Sequence, residues 1–264
     1  MTDPMTKSQT VRRMVMLEAA IATVAAVAAR RRPGIAVALT AAGLVAARGA
    51  FGRNSPVYGR VVDHGPRTGD RFALTFDDGP GPSTPAILDA LAAADARATF
   101  FALGRQAQEH PDVIARIVDE GHELASHGFD HGILVFRGAD HVHDQLLRTE
   151  EAIAAAAGPH ALTRYFRAPH GFRGPATSWA AAQLGYRTIG WGTGVFDSAQ
   201  PGADVIEERV VSALRPGQII LLHDADGWDP SASRQQTADA IPAIVERARA
   251  LGLEPAPLGA VIAA

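Results

Sequence analysis

The chain has 264 residues and no cysteine. At roughly 150 residues per domain it holds one large domain or a smaller one with an appendage, and the missing sulfur excludes disulfides, thiolate metal sites and cysteine nucleophiles, leaving His, Asp or Glu to hold any metal. The net charge of −3 sets aside a nucleic-acid binder with a strong basic field.

That charge averages two unlike parts. Residues 1–53 carry eight basic side chains against two acidic ones (+6), the remainder carries −9, and all ten histidines lie beyond residue 60. In chain order, two apolar runs come first, at residues 14–29 and 34–47, parted by Arg30, Arg31, Arg32 and Pro33. As helices at about 1.5 Å per residue they reach roughly 24 and 21 Å, short of a hydrocarbon core of about 30 Å unless the arginines snorkel outward. A short apolar helical hairpin that meets the membrane, or a signal anchor, is expected; a soluble Ala-rich hairpin, a disordered leader and a cleaved signal peptide are the alternatives. In a membrane hairpin the arginine cluster stays cytoplasmic and the main domain lies outside, although Lys7, Arg12 and Arg13 pull the other way.

From Phe72 onward β-type runs alternate with amphipathic helical stretches. Strands are predicted at 72–77, 98–103, 122–126, 165–168, 186–191, 218–222 and 253–257, with helices at 84–94, 111–120, 144–157, 175–184, 203–214 and 235–251. This repeat implies a parallel sheet, and its unbroken run of seven to eight units implies an α/β fold that is a closed or nearly closed barrel more than an open doubly wound sheet. Function in such a barrel gathers where strands end at the C-terminal rim. Asp77 and Asp78 end the first strand, His127 the third, Arg167 and His170 follow the fourth, Asp197 the fifth, and His223 the sixth.

Two adjacent carboxylates after an apolar strand repel each other and lose hydration unless a cation or a basic group compensates; the plain alternative is an Asp-Gly-Pro turn. His127 and His131, four apart, can present two imidazoles to one side of a tight loop. With Asp78 they form a two-His, one-carboxylate set that leaves coordination positions open for water and substrate. His141 and His143 could compete as ligands but open a charged helix, and read as solvated surface. His223 closes the most apolar short run and could act as a general acid oriented by Asp197, or be a core residue satisfied by a neighbour. Arg167 could pair with Asp77 and keep it ionised. Residues 190–194 carry three glycines in the wrong spacing for a dinucleotide site, and neither a P-loop nor a serine elbow occurs. The parts present are a metal set, a base and an acid, which suit metal-assisted hydrolysis.

In order, Thr75-Phe76-Asp77-Asp78-Gly79-Pro80, His127-Gly128-Phe129-Asp130-His131, Arg167-Ala168-Pro169-His170-Gly171 and Leu221-Leu222-His223 closely resemble the motifs of the polysaccharide deacetylases, the NodB homology domain of carbohydrate esterase family 4. The resemblance spans about residues 60–264. It implies a distorted (β/α)7–8 barrel and removal of N-acetyl or O-acetyl groups from a glycan such as peptidoglycan, chitooligosaccharide or xylan with a divalent metal, usually zinc, with cobalt, nickel or manganese as substitutes. Carried over, Asp78, His127 and His131 would bind the metal and Asp77 would take the proton of the attacking water, positioned by Arg167. His223 would protonate the leaving group, oriented by Asp197; Leu221, His170 and Trp191 would meet the substrate, with a backbone N–H near His170 on the oxyanion.

Three departures concern the pocket: Gly128 where the family usually has Ser or Thr, His170 where it has an aromatic, and Gly194 and Ser198 where its fourth motif has Asp and Trp. The expected division is a basic apolar segment at 1–53 and a catalytic domain at 60–264. The expected partners are the glycan and, through the N-terminal segment, the membrane, with the catalytic domain facing a bacterial cell envelope. Hydrolysis of a small amide or cyclic imide, and an inactive glycan-binding module, are the competing readings.

Overall fold

The computed structural model describes residues 33–263 and, before them, residues 16, 19, 20 and 23. The first apolar run, and with it the hairpin as such, therefore falls outside the described residues except at those four helical positions. The second run is a helix, α1 (Pro33–Phe51), a turn longer than its apolar stretch. Pro33 suits a first helical position because it lacks an N–H. Val37, Leu44 and Val45 on α1 are exposed, whereas its last turn is docked: Phe51 meets Phe172 edge-on at 5.3 Å and Phe136 at 6.2 Å.

After α1 come β1 (Val61–Val62), β2 (Arg71–Asp77), α2 (Thr84–Ala93), β3 (Thr99–Ala102), α3 (Gly104–Glu109), α4 (Pro111–Asp119) and β4 (Glu123–Ser126). The second half holds α5 (Ala139–Ala157), β5 (Leu162–Phe166), α6 (Pro175–Gln183), β6 (Arg187–Ile189), β7 (Thr193–Gly194), α7 (Ala203–Ala213), β8 (Ile219–His223), α8 (Gln235–Ala250), β9 (Glu254–Pro255) and α9 (Leu258–Ile262). Every ladder is parallel, in the order β1-β6-β5-β4-β3-β2-β8-β7, with β9 alongside β2. The sheet curls into a distorted half-barrel. β1 and β7 share no ladder among the described residues, and an isolated antiparallel bridge joins His64, just after β1, to Gln218, just before β8.

The central strands read as unbroken apolar runs because both of their faces are covered. On the outer face Phe72, Leu74, Phe76, Ile220 and Leu222 pack against Ile87, Leu88 and Leu91 of α2 and Ile241 and Ile244 of α8. On the inner face Ala73, Phe101, Ala125, Ile189 and Ile219 pack with Leu258 and Val261 of α9, which stop the barrel at the N-terminal end of its strands. Each fully buried Leu, Ile or Phe contributes about 1.5–3 kcal/mol. The opposite end, at the C-terminal rim, is left for polar groups.

Candidate active site

Strand register places the candidates. Asp77 lies opposite His223 across β2 and β8, and Ser126, just before His127, lies opposite Phe166, just before Arg167, across β4 and β5. All ten residues singled out in the motifs reach one rim. Nine of them, all but Asp197, line or hold a cavity of about 230 Å³, and Asp197 touches it through His223. A larger cavity of about 730 Å³, between residues 57–62 and α6, contains none of this chemistry.

Arg167 is fully buried. Its Nη1 donates to Asp77 Oδ1 at 2.6 Å and to Thr75 Oγ1 at 2.9 Å, and its Nη2 donates to Gly190 O at 2.9 Å. The guanidinium also lies 4.0 Å from the Phe101 ring centroid. Burial pulls the Arg167 pKa down and the Asp77 carboxylate opposes that pull, so the two charges are mutually required and removing either leaves the other stranded.

Asp78 turns the other way, at φ 80. Its Oδ2 accepts the Gly227 N–H at 3.2 Å. Its Oδ1 is buried without a hydrogen bond, 3.1 Å from His131 Nε2 and 3.3 Å from His127 Nε2. His127 Nδ1 lies 2.8 Å from Arg167 O; a carbonyl only accepts, so Nδ1 carries a hydrogen and Nε2 is the ring atom turned to Asp78. Burial works to raise the Asp78 pKa, but His131 and His127, with His223 beyond, hold the carboxyl well below the usual carboxylate range. One carboxylate oxygen and two imidazole nitrogens within 4.8 Å of one another, the oxygen otherwise orphaned, fit a divalent cation. Two histidines and a carboxylate suit zinc and its neighbours better than magnesium or calcium.

His223 stands opposite. Its Nδ1 donates to Asp197 Oδ1 at 2.9 Å and its backbone N–H to Asp197 Oδ2 at 2.8 Å, an oxygen that also accepts from Thr237 Oγ1 at 3.0 Å. Burial disfavours the His223 charge, yet Asp197 outweighs it and His223 is pushed up to about 9. Strain gathers here as well: of six non-glycine residues at positive φ among the described residues, Asp78, His131, His170 and Phe196, beside Asp197, are four. Each such conformation costs on the order of 1–3 kcal/mol and persists only where surroundings enforce it.

The missing hydroxyl at Gly128 is replaced from α5. Gln145 Oε1 accepts the Phe129 N–H at 2.9 Å and the Asp130 N–H at 3.2 Å, bracing the loop between the two histidines. Leu221, Trp191 and His170 line the cavity as the motifs imply, and Ser198 occupies the fourth-motif position. The N–H groups of Gly171 and Phe172 close turns onto Ala168 and Pro169. His141 and His143 do not reach the site, but they are not the solvated surface expected. Both are half-buried, and His143 packs 5.6 Å from the Trp179 ring, because α5 starts at Ala139 and lays its first turns on α6.

The loop after β8 carried no readable signal. Trp228 stacks on His170 at 5.5 Å and 18° and meets His131 edge-on at 5.6 Å, and the loop is pinned by Arg234 Nη2 on Asp226 Oδ2 at 2.6 Å. A Cβ on Gly227 would sit 2.1 Å from His131 Nδ1. Buried Asp224, adjoining His223 in the chain, accepts from the Gly79 N–H at 3.1 Å and from Thr84 Oγ1 at 2.7 Å, and burial pushes its carboxyl up to about 7.

A family model described as polysaccharide deacetylase matches residues 64–189. The chain is 37% identical over 213 residues to a chitooligosaccharide deacetylase of Bradyrhizobium sp. (strain ANU 289), covering 77% of itself and 96% of that protein. It belongs to the polysaccharide deacetylase family. A solved peptidoglycan N-acetylglucosamine deacetylase, Bc1960, superposes with a TM-score of 0.70 at 30% identity, over 76% of this polysaccharide deacetylase and 92% of that chain. The peptidoglycan-N-acetylglucosamine deacetylase PgdA of Listeria monocytogenes is 34% identical over 60% of this chain and a third (33%) of its own length. As a polysaccharide deacetylase the chain is a hydrolase.

Proposed function

We propose that this deacetylase removes the N-acetyl group from glucosamine-containing glycans of the chitooligosaccharide or peptidoglycan type. Asp78, His127 and His131 would hold a divalent cation, zinc before cobalt, nickel or manganese. The observation that carries the reading is the orphaned Asp78 Oδ1 facing the Nε2 atoms of two imidazoles, flanked by an arginine-held carboxylate and a carboxylate-held histidine. A cation bound there supplies Lewis acidity to the acetyl carbonyl and to the attacking water.

The rest is done by side chains. Asp77, positioned by Arg167, accepts a proton as water adds to the acetyl carbon. His223, kept protonated by Asp197, gives its proton to the nitrogen as the C–N bond breaks, and acetate and the free amine leave. Leu221 backs the acetyl methyl, and Trp191, His170 and Trp228 offer faces to the sugar. Acetate release from N-acetylated chitooligosaccharide and from peptidoglycan, with and without chelator, tests the reading. Release that stops with chelator and returns with zinc supports it, and metal-loaded protein releasing none from either overturns it.

The N-terminal segment, 1–53, is read as the anchor of a catalytic domain that lies outside the cytoplasm. What supports this is Gly34–Phe51, a helix long and apolar enough by length and composition to cross a membrane, with Ile35, Val37, Leu39, Leu44 and Val45 exposed.

A further inference from the structure

Residues 50–55, which lead out of α1, are built into the wall of the catalytic cavity. Asn54 brackets Trp191: its Nδ2 donates to Trp191 O at 2.9 Å and its Oδ1 accepts the Trp191 N–H at 3.4 Å, while Nδ2 also donates to Asp63 at 2.9 Å. Gly190 has no room for a side chain there, since a Cβ would lie 2.1 Å from Asn54 Oδ1. The Arg53 guanidinium sits 5.8 Å from the Trp191 ring centroid. On the other side Phe51 leans on Phe172, whose ring is 5.8 Å from that of His170. Arg173 closes the joint, its N–H donating to Ala50 O and its Nη2 to Ser55 O, both at 3.0 Å. Two walls of the cavity thus rest on the residues that follow the helix, with no free linker between.

That joint fixes a distance. The exposed large apolar side chains of α1 run as far as Val45, then Arg48 is exposed and Gly49 buried, so in an inserted α1 Arg48 would be the interfacial end. From Arg48 to Asn54 is six steps along the chain, at most about 20 Å fully extended, and less because the first three are helical. With α1 inserted as the anchor, the cavity would be held within that reach of the bilayer surface and would not swing out to a distant polymer. Its volume, about 230 Å³, is below the roughly 300–1,000 Å³ of pockets that enclose drug-sized ligands, which suits a single sugar.

We propose that the substrate is an acetylated saccharide carried on a lipid phosphate of the same bilayer, with Arg48 and Arg53 lying between membrane and cavity as partners for the phosphate. This rests on the deacetylase reading and on α1 as an anchor. The test is acetate release by the full chain in vesicles, on three substrates: a polyprenyl diphosphate N-acetylhexosamine in the same vesicles, the same lipid in separate vesicles, and soluble chitooligosaccharide. The lipid-borne sugar in the same vesicles is expected to turn over about tenfold faster or more per substrate molecule than the soluble one, an effective-concentration gain, and the lipid in separate vesicles to be spared.

A second variant carries a flexible Gly/Ser spacer between Val45 and Ala46, upstream of the joint. It is expected to keep soluble turnover and lose the preference. Equal or faster turnover of the soluble sugar, in vesicles that carry the protein, overturns the proposal alone. Acetate from none of the three overturns it through the deacetylase reading, and a chain that does not float with vesicles overturns it through the anchor.

Discussion

Asp77 and Asp78 are neighbours in the chain with opposite surroundings: Arg167 claims one carboxylate, and two imidazoles with the Gly227 N–H claim the other. Asp77→Asn is therefore expected to keep its metal, by elemental analysis, and to lose turnover by about 100-fold or more; metal loss in that variant would show the two aspartates to have been assigned the wrong way round. At His223 the sign of the pH effect follows from the pair. The acid must be protonated, so rate falls as pH rises through its pKa, held up at about 9 by Asp197. Asp197→Asn removes the charge and lets His223 drop toward about 6.5 or lower, so the alkaline limb of the kcat profile should move to lower pH. A limb that stays put would remove His223 from the role of acid. These residues were legible in the sequence because each ends a strand and chemistry needs it there. Gly227 and Trp228 were not, because a loop glycine and a loop tryptophan have no periodicity, and their contacts lie 149 residues away at Asp78 and across the rim at His170.

At the scale of elements, the long strands and helices were readable from their apolar runs, whereas β1 and β7, two residues each, are too short to carry a pattern. α5 begins five residues before its predicted start because residues 139–143 hold a histidine-rich polar stretch whose apolar side chains are only Ala139 and Val142. Gln145, inside that helix, was invisible as a brace for the same reason: nothing local distinguishes a buried glutamine from a solvated one. Gln145→Ala should leave the fold intact and weaken metal binding about 10–100-fold, measured by competition with a chelator. The entry to β4 adds a stability prediction. His122 is buried with Nδ1 accepting the Ala98 N–H at 3.2 Å, and burial, helped by Arg97, lowers its pKa to about 4. The unfolded chain takes up that proton first, so the neutral His122 contributes fully above about pH 6.5, and its contribution is lost as pH falls toward about 4. The loss should reach on the order of 3 kcal/mol, seen as a falling urea midpoint that His122→Asn flattens.

For the molecule as a whole, the joint at residues 50–55 separates two truncations. Removing residues 1–48 leaves Phe51, Asn54 and Ser55 on the barrel, and the melting temperature should stay near that of the full chain. Removing residues 1–55 strips those contacts from Phe172, Trp191 and Arg173, and should lower it by about 5 °C or more, as a loss near 2 kcal/mol does in a domain of this size. Equal melting temperatures would show the joint to be idle.

Gly227 also dates the assembly of the site. Asp78, His127 and His131 are all made in the first half of the chain, but the N–H that aims the Asp78 carboxylate is made 149 residues after it. Synthesis runs from the N-terminus, so a nascent or truncated chain owns all three metal ligands while one of them is still unaimed. A chain released before Gly227 is expected to bind its metal more weakly than the full chain.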